Sequence, residues 1–529
     1  MRRSILLCLL FGPMTLPALA QTRSANQQPA FVTDSLDTYI KRGMANWQIP
    51  GLALAIIKDG KVVVSKGYGV RELSGKNEPV DENTLFLIAS NTKLFTGTAL
   101  AKLEDEKKLS LNDKVTKYLP DYKLYDPAAT QLVTIRDLLC HRLGTKTFQG
   151  DFTFWNTNLS RAEIMNRMRL LKPSRQFRQD YGYCNSGFVT AGEIIPKVTG
   201  QLWEQYVEAT IVKPLGMTNT YMLTAGAENR PNVARPYTTS FSGTIPGKLI
   251  RLPYDQIDNL APAGGIVSCV KDVSKWLLMQ LDSGRYEGKR VLPWSVLQKT
   301  RDANVMTSSR KSTVFPTHFS AYGLGVFMTD YAGRQTYWHT GGAFGFVTNT
   351  CFVPEEKLAI TILTNQDNQP FFEALRYQIL DAYLGVPYTD RSQFFLATGS
   401  AEAKKQEQEL KAMADRVARK NKPSLPMSAY TGTYRHELYG TISIVPDPDN
   451  KTDAPERRAS LKVAFKHHPT LTAQLDYMDD NTFRLTYSNP AFGVFPAKFS
   501  VNNGVAQDVE IKASDFVEYD PYLFTKAAQ

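Results

Sequence analysis

The pattern of apolar and polar positions predicts a sheet and packed helices in the central part of the chain. Apolar runs at 345–353 and 358–364 flank a polar turn at 354–357, which predicts two antiparallel strands. Residues 371–384 have the composition of a helix that would close against this sheet. Apolar residues after position 90 recur with the period of a helix that has one buried face.

Beyond residue 390 the pattern changes. Residues 401–422 are rich in Ala, Lys, Glu and Gln, which favours a charged connecting helix ended by Pro423 and Pro426. From Tyr430 onwards, short alternating segments separated by turn residues predict a small closed barrel. The predicted strands are 440–445, 461–465, 482–487, 497–501 and 509–511, with Asn502-Asn503-Gly504 as a hairpin turn. We therefore expect a first domain at 21–390, a helical linker at 391–428 and a barrel at 429–529.

The first 20 residues have the pattern of a secretory signal. Arg2 and Arg3 precede a mostly apolar run at 5–16, and Ala18-Leu19-Ala20 provides a small-residue cleavage site. We expect cleavage after Ala20 and export to the periplasm or the medium. The apolar run is too short for a lasting membrane span, and no other segment is long and apolar enough.

Composition and charge fit an exported globular protein of two or three domains. The chain has 529 residues, of which 43% are hydrophobic and 21% charged. Its net charge is +11, and loss of Arg2 and Arg3 with the signal would lower it by two, to +9. Basic residues are interleaved with acids, which indicates a solvated surface or a weak attraction to anionic envelope polymers. No nucleic-acid motif accompanies the charge, so we expect no nucleic-acid partner.

The cysteines and histidines show no metal-binding pattern. Outside the signal, Cys140, Cys184, Cys269 and Cys351 lie in apolar or motif contexts, which favours buried thiols, although export would permit disulfides. The six histidines form no metal-spaced cluster with Asp, Glu or Cys. We expect neither a metal nor another cofactor.

A Ser-x-x-Lys motif carries the first candidate chemistry. It places an amine about one helical turn from a hydroxyl, where the amine can remove the proton and make a nucleophile. The motif occurs at Ser90, Ser268 and Ser308. Ser308 lies in a polar run that predicts a loop, and Ser268 precedes helically spaced apolar residues, which favours a helix N-cap. Ser90 follows an apolar run and begins a buried helix, where the helix dipole would favour an oxyanion; an N-cap is the alternative.

Two further motifs follow Ser90 in order and distinguish it from the other copies. Tyr183-Cys184-Asn185 lies in a glycine-flanked turn that suits the mouth of a cleft, although a core tyrosine would also fit. The second Tyr-x-Asn copy, at Tyr487, ends a strand-like run before a proline. His339-Thr340-Gly341-Gly342 comes third. The ordered set predicts an acyl-transfer site that uses an active-site serine.

With these motifs, residues 30–385 resemble the serine β-lactamase and penicillin-binding protein superfamily, specifically its class C-like branch. The branch includes D-aminopeptidases, DD-peptidases, esterases and class C β-lactamases, so the resemblance defines the machinery better than the substrate. It implies an α+β fold in which an antiparallel sheet is flanked by helices and accompanied by an all-helical subdomain. Residues 430–434 resemble the opening of a lipocalin-like C-terminal domain, which would stabilise the enzyme, support a dimer or gate its cleft.

The resemblance implies a role for each catalytic motif residue. Ser90 would be the nucleophile and Lys93 its proton acceptor or electrostatic partner. Tyr183 would be the second base, or the acid that protonates the leaving group. Asn185 would hold Lys93 and hydrogen-bond the substrate amide. A lysine can act as a base when desolvation or a neighbouring charge lowers its pKa, which a buried helix start beside a tyrosine can provide.

The third motif would bind substrate. His339, Thr340 and Gly341 would form an edge strand alongside it, and the backbone N–H groups of Ser90 and Gly342 would form the oxyanion hole. Penicillin-binding proteins and most β-lactamases have Lys where this chain has His339. Because a neutral imidazole attracts a substrate carboxylate less strongly than an ammonium, His339 disfavours efficient β-lactamase activity.

These observations favour an exported serine hydrolase that forms an acyl-enzyme on Ser90. Its expected substrates are small or D-configured peptides and amides, cell-wall peptides among them, or esters. The first alternative is a penicillin-binding DD-carboxypeptidase or β-lactamase, which His339 disfavours. The second is a non-catalytic envelope-binding relative, which would not need Ser90, Lys93 and Tyr183 together. We expect residues 146–175 to shape the substrate pocket, and the sequence does not predict an oligomeric state.

Overall fold

A computed structural model describes residues 28–241, 247–447 and 460–528. The predicted signal segment, residues 1–20, lies outside this part of the chain. No helix within the described ranges is long and apolar enough to cross a membrane.

The described residues form a mixed α/β domain followed by a long helix and a barrel. The α-helices are α1 (Leu36–Trp47), α2 (Thr92–Asp105), α3 (Pro127–Leu132), α4 (Ile135–Leu139), α5 (Arg161–Arg167), α6 (Asn185–Thr199), α7 (Trp203–Val207), α8 (Ala261–Gly264), α9 (Val270–Leu281), α10 (Trp294–Thr300), α11 (Phe371–Leu384) and α12 (Arg391–Ala418). The strands of the first domain are β1 (Gly51–Lys58), β2 (Lys61–Gly69), β3 (Phe86–Leu87), β4 (Tyr237–Thr238), β5 (Ile250–Arg251), β6 (Val267–Ser268), β7 (Arg285–Tyr286), β8 (Lys289–Arg290), β9 (Val305–Ser308), β10 (Ser320–Tyr322), β11 (Phe327–Tyr331), β12 (Arg334–Ala343), β13 (Phe346–Val353) and β14 (Leu358–Thr364).

The main sheet is antiparallel and has eight strands in the order β2-β1-β14-β13-β12-β11-β10-β9. Alternate residues of β1 enter two different apolar clusters, because successive side chains of a strand point to opposite faces. Helices α1 and α11 pack on one face and α9 on the other. The predicted strand pair at 345–353 and 358–364 and the predicted helix at 371–384 are confirmed.

Helix α2 differs from its prediction. The sequence favoured one buried face, but residues 92–101 are buried on every side. The helix contacts α6, α8 and α10, which belong to the helical part of the domain, and it therefore lies between layers. A central helix of this kind need not be amphipathic, because it has no solvent face.

The C-terminal region is a closed barrel, as predicted, and its described residues contribute eight strands. Its strands are β15 (Gly432–His436), β16 (Gly440–Pro446), β17 (Ser460–Phe465), β18 (Thr472–Asp479), β19 (Thr482–Tyr487), β20 (Val494–Asn502), β21 (Val505–Ile511) and β22 (Tyr522–Lys526). The predicted hairpin turn joins β20 to β21, and Asn503 and Gly504 both have positive φ, as a tight turn of this type requires. Helix α12 begins at Arg391 and ends at Ala418, before the two prolines predicted to stop it.

The barrel packs directly against the helical part of the first domain. The ring of Phe152 stacks on His468 of the barrel, with centroids 4.0 Å apart. Arg167 at the end of α5 donates to the Leu438 carbonyl at 2.5 Å, and its other terminal nitrogen lies 3.1 Å from His467 Nε2. The loop between β21 and β22 thereby lies next to the cleft that contains the sequence-predicted site residues.

Candidate active site

Ser90 lies on a sharp turn between a short strand and α2. Strand β3 leads into a single 3₁₀ turn, Ala89–Asn91, from which α2 continues. Ala89 has φ of 47°, a left-handed conformation that costs a non-glycine residue about 1–3 kcal/mol and is found at functional sites. Asn91 supports the turn, since its amide donates to Thr348 Oγ1 at 2.8 Å.

Lys93 is fully buried and its amine faces the serine. Its Nζ lies 3.0 Å from Ser90 Oγ and donates to Asn185 Oδ1 and to the Ala263 carbonyl, both at 2.7 Å. Burial lowers the pKa of Lys93 to about 7, although the nearby Asp151 opposes the shift. A neutral amine has two N–H groups, which the two oxygens would satisfy, so its lone pair can point at the Ser90 hydroxyl.

The Tyr183 ring packs next to the Lys93 amine. Lys93 Nζ lies 4.8 Å from the centroid of the Tyr183 ring, within the range of a cation–π contact. Burial raises the pKa of Tyr183, and a side-chain hydrogen bond with Ser90 partly opposes this rise. His141 stacks on the tyrosine at 4.1 Å between centroids, and its Nδ1 accepts the Cys184 N–H at 2.9 Å. Since burial lowers the pKa of His141 well below its usual value, an uncharged ring supports Tyr183.

Asn185 joins Lys93 to a buried acid that the sequence did not identify. The Asn185 amide donates to Asp151 Oδ2 at 2.5 Å, while its carbonyl accepts from Lys93. Burial raises the pKa of Asp151 well above its usual value, and the carboxylate of Glu518 raises it further. The predicted contact between Asn185 and Lys93 is present, and Asp151 extends it toward the barrel.

The edge of β12 beside Ser90 is open. Its pairing with β11 ends at Trp338, so residues 339–343 are paired only with β13. Gly341 permits the strand to pass close to the serine turn, because a Cβ there would lie 2.0 Å from the Ile88 carbonyl oxygen. His339, Thr340 and Gly342 line the adjacent cavity. Residues 339–343 can therefore hydrogen-bond an extended substrate, in the manner of an added strand.

His339 is uncharged, and both of its ring nitrogens are already bonded. Burial lowers its pKa to about 3. Its Nδ1 lies 2.7 Å from the Thr340 carbonyl and must donate to it, so Nε2 accepts from the Tyr322 hydroxyl at 2.9 Å. The expectation of little charge agrees with this environment. In this arrangement Tyr322 and Thr340 occupy both ring nitrogens, so neither nitrogen is left to bond a substrate.

The cavity at Ser90 has a volume of about 490 Å³, and its lining is rich in aromatic side chains. The loop predicted to shape it does contribute, through Thr147, Phe148, Asp151 and Trp155. Part of the wall comes from the C-terminal barrel, for which gating of the cleft was one of the suggested roles. The barrel residues that line the cavity are Asp515, Phe516 and Tyr519.

The Phe516 ring lies beside Gly342, whose N–H is one of the two groups predicted to form the oxyanion hole. A Cβ on Gly342 would come within 3.0 Å of the Phe516 ring. Tyr519 packs edge-on against Phe148, with centroids 5.4 Å apart, and Phe148 in turn contacts Tyr183. No short sequence pattern connects these residues with Ser90, because they are brought together by domain packing across more than 300 positions.

The other motif copies lie elsewhere. Ser268 is not a helix N-cap as predicted: it ends β6, its hydroxyl bonds Thr220, and Cys269 occupies the N-cap position. Ser308 is not in a loop, since it ends the edge strand β9. Tyr487 ends β19 as predicted, and its hydroxyl donates to the Lys512 carbonyl.

The cysteines and the possible metal ligands were the other candidates for chemistry. Cys140, Cys184, Cys269 and Cys351 are buried free thiols. Within the described ranges, no group of three or more His, Cys, Asp or Glu side chains could hold a metal ion.

The fold and the serine–lysine–tyrosine arrangement define a class of active-site serine proteins, and comparison with known families specifies it. The Beta-lactamase family model matches residues 36–384, so the chain belongs to the beta-lactamase family. Residues 417–526 match a second family, a domain of unknown function (DUF3471). The barrel strands lie within that second match.

Relatives support the same assignment. The chain is 28% identical over 439 residues to the Unguisins hydrolase ungD′ of Aspergillus campestris, covering 80% of this chain and 79% of that protein. It is 27% identical over 340 residues to Protein flp of Staphylococcus aureus, covering 63% of each. An octameric penicillin-binding protein homologue from Pyrococcus abyssi shares the fold, with a TM-score of 0.57 and 22% identity over 93% of this chain and all of that one.

Proposed function

We propose that the chain is an exported hydrolase that forms an acyl-enzyme on Ser90 and acts on amides or esters of small or D-configured residues that have no carboxylate near the reacting bond. The observation that carries the proposal is Lys93, a fully buried amine 3.0 Å from the serine hydroxyl with a pKa of about 7. At neutral pH a large fraction of such an amine is unprotonated and can act as a base. The hydrolases among its relatives support hydrolysis as the reaction class.

The proposed reaction proceeds in two stages. Ser90 Oγ attacks the substrate carbonyl carbon while its proton moves to Lys93 Nζ. The tetrahedral oxyanion would accept hydrogen bonds from the N–H groups of Ser90 and Gly342. Tyr183 is protonated at neutral pH because burial raises its pKa, which suits it to donate a proton to the departing amine or alkoxide. Lys93 then passes the proton that it took from Ser90 to Tyr183, which restores both residues. In the second stage water attacks the carbonyl carbon of the acyl-enzyme, the bond from that carbon to Ser90 Oγ breaks, one proton of the water passes through Lys93 to Ser90 Oγ, and the acid is released.

The charge of the cavity favours substrates without a carboxylate near the reacting bond. Within the described ranges, its lining includes no lysine or arginine, and its acidic side chains are Asp151 and Asp515. Lys93 lies behind the serine and is engaged by Asn185 and Ala263. His339 is uncharged. A substrate carboxylate would therefore meet aromatic rings and acids rather than a fixed cation, at the cost of its hydration.

The aromatic lining supports an apolar substituent on the substrate. Rings of Phe148, Trp155, Phe516 and Tyr519 surround the space in front of Ser90. Burying an apolar side chain among them contributes roughly 1.5–3 kcal/mol. An aromatic or branched residue on the acyl side would use this surface, whereas glycine would not.

The test is a set of paired substrates that differ in one feature. N-acetyl-D-Ala-D-Ala and its C-terminal amide differ only in the terminal carboxylate, and D-phenylalaninamide and D-alaninamide differ only in the aromatic ring. We expect the amide of the first pair and the aromatic member of the second pair to have the higher kcat/KM. Nitrocefin and p-nitrophenyl acetate complete the set, with Ser90→Ala as the inactive control. A preference for the free carboxylate and for nitrocefin would contradict the proposal and favour a penicillin-binding enzyme.

Export is a separate part of the proposal and rests on the first 20 residues of the sequence. Expression of the full chain in a Gram-negative host, followed by N-terminal sequencing of the protein in the periplasm, tests it. We expect the mature protein to begin at Gln21; an intact N-terminus in the cytoplasm would contradict export.

A further inference from the structure

One carboxylate of the barrel is buried against the hydrolase domain. Glu518 lies in the loop between β21 and β22 and is 1% exposed. Its Oε1 accepts the Gly150 N–H at 2.7 Å, and its Oε2 accepts the Phe152 N–H at 3.2 Å. The hydroxyls of Tyr439 and Tyr522, both in the barrel, donate to the same carboxylate. Burying a carboxylate costs free energy unless its oxygens are hydrogen-bonded, and these four donors satisfy the oxygens of Glu518.

The two N–H groups that Glu518 holds flank Asp151. Gly150 has φ of 88°, so the turn enters Asp151 through a backbone conformation that favours glycine. Asp151 is itself buried and accepts from Asn185, which accepts from Lys93. The contacts therefore form a continuous path from the barrel to the amine beside Ser90. Glu518 itself does not line the cavity.

We propose that Glu518 is a positioning residue of the hydrolase site: it holds the turn at Gly150–Phe152 so that Asp151 keeps Asn185, and through it Lys93, in place. The inference rests on the proposed function, since it requires Lys93 to act as the base. It assigns the barrel a direct part in building the site. The barrel would thus supply a hydrogen-bonded support for the base as well as part of the cavity wall.

The charges along this path predict a direction for the effect of removing Glu518. Burial and the hydrogen bonds together leave Glu518 with a pKa of about 7, and its negative charge raises the pKa of Asp151. The other titratable groups that act on Asp151 or Glu518, or are acted on by them, are Lys93, Tyr183, Cys184, Tyr439, Tyr519 and Tyr522. Without the Glu518 charge, Asp151 ionises more readily, and its negative charge then raises the pKa of Lys93. The pH at which the base becomes active should therefore rise.

The experiment compares Glu518→Gln with Asp520→Asn in the full-length mature protein. Both variants neutralise a carboxylate of the same loop, but Asp520 forms an exposed ion pair with Lys146. The probe is p-nitrophenyl acetate, with kcat and KM measured from pH 5.5 to 9. For Glu518→Gln we expect kcat at pH 7 to fall about tenfold, KM to change less than twofold, and the acidic limb of kcat/KM to move up by roughly 0.5–1 pH unit. Asp520→Asn should stay within about twofold of wild type with an unshifted limb.

Two further variants separate positioning from loss of fold. Tyr522→Phe removes one donor to Glu518 but keeps the carboxylate, and should move the limb in the same direction by a smaller amount. In an Asp151→Asn background, where the Asn185 hydrogen bond can be retained, Glu518→Gln should no longer move the limb. Circular dichroism and the thermal midpoint would accompany each variant.

The outcomes distinguish the inference from the proposed function. A folded Glu518→Gln protein with wild-type kcat and an unshifted limb would overturn the inference, as would an equal shift in the Asp151→Asn background. Ser90→Ala in the same assay checks the proposed function. If it retains activity, the proposed function fails and the inference fails with it. If it is inactive while Glu518→Gln matches Asp520→Asn, only the inference fails.

Discussion

The turns at Ser90 and Ser268 have the same Ser-x-x-Lys pattern and are neighbours in space, yet they build different environments. Strand β3, which precedes Ser90, pairs with β6, which ends at Ser268, and Phe86 lies opposite Ser268. Lys93 is fully buried with its amine at the serine. Lys271 instead extends into solvent and forms an ion pair with Glu82 at 2.8 Å, while the Ser268 hydroxyl is bonded to Thr220.

The difference shows that burial, rather than the motif, makes the chemistry. Desolvation lowers the pKa of Lys93 to about 7, whereas the hydrogen bond with Glu82 raises the pKa of Lys271. One lysine is therefore available as a base at neutral pH and the other is a fixed surface cation. The position of α2 between layers produces this result, because it removes Lys93 from water.

We expect the largest effect when the lysines of the two Ser-x-x-Lys motifs, Lys93 and Lys271, are each replaced. Lys93→Ala should lower kcat for p-nitrophenyl acetate by about 10²–10⁴-fold, because the serine loses its proton acceptor. Lys271→Ala should remain within about twofold, since exposed ion pairs contribute little. Equal losses in the two variants would show that the choice of the Ser90 copy is wrong.

The two Tyr-x-Asn copies allow a second paired test. Tyr183→Phe should lower kcat by about 10²-fold, with little change in KM, because the leaving group loses a proton donor. Tyr487→Phe removes a hydroxyl that donates to the Lys512 carbonyl in the barrel and should leave kcat unchanged. Steady-state kinetics on a p-nitroanilide substrate measures both, since an amine leaving group needs protonation most. A loss at Tyr487 equal to that at Tyr183 would contradict the assignment.

His339→Lys tests the charge of the substrate strand. An ammonium in place of the uncharged ring can pair with a substrate carboxylate, an interaction worth about 1.5–3 kcal/mol. We expect the ratio of kcat/KM for nitrocefin to that for p-nitrophenyl acetate to rise by about tenfold or more. His318→Lys, which changes an exposed histidine paired with Asp330, is the matched control and should leave the ratio unmoved. An unchanged ratio in His339→Lys would show that this position does not discriminate.

The pH dependence of kcat/KM in the wild-type protein tests whether Lys93 acts as a base, which Lys271 as a surface cation would not do. The active form of Lys93 is the neutral amine, so protonation below its pKa of about 7 should lower kcat/KM. We expect a fall of about tenfold per pH unit on the acid side and a plateau above pH 8. A profile measured with p-nitrophenyl acetate that is flat from pH 5.5 to 8 would contradict a lysine base.

Local patterns predicted those parts of the fold that are built from neighbouring residues. The strand pair β13–β14, helix α11 and the hairpin turn after β20 each depend on a continuous run with its own turn signals. Strands β15, β18 and β22 were not among the predicted strands. Strand β18 does alternate polar and apolar residues from Thr472 to Tyr477, so a strand signal was present in the sequence there. Strand β22 is short, and its pairing with β15 closes the barrel between distant positions.

The residues of the site also fall into a group that the sequence predicted and a group that it did not. Ser90, Lys93, Tyr183, Asn185 and the 339–342 segment could be proposed because each lies in a short motif, and the structure brings them to one cleft. Their supporting groups were not predicted. Asp151, His141, Tyr322 and Glu518 act through burial and packing, and neither property is visible in the residues beside them in the sequence.

The most direct test of the central claim is to identify the serine that becomes acylated. The mature protein would be incubated with a fluorophosphonate probe, digested, and its labelled peptide mapped by mass spectrometry. We expect a single label on Ser90 that is absent from Ser90→Ala and unchanged in Ser268→Ala. Labelling of Ser268, or a label that persists in Ser90→Ala, would contradict the assignment of Ser90 as the nucleophile.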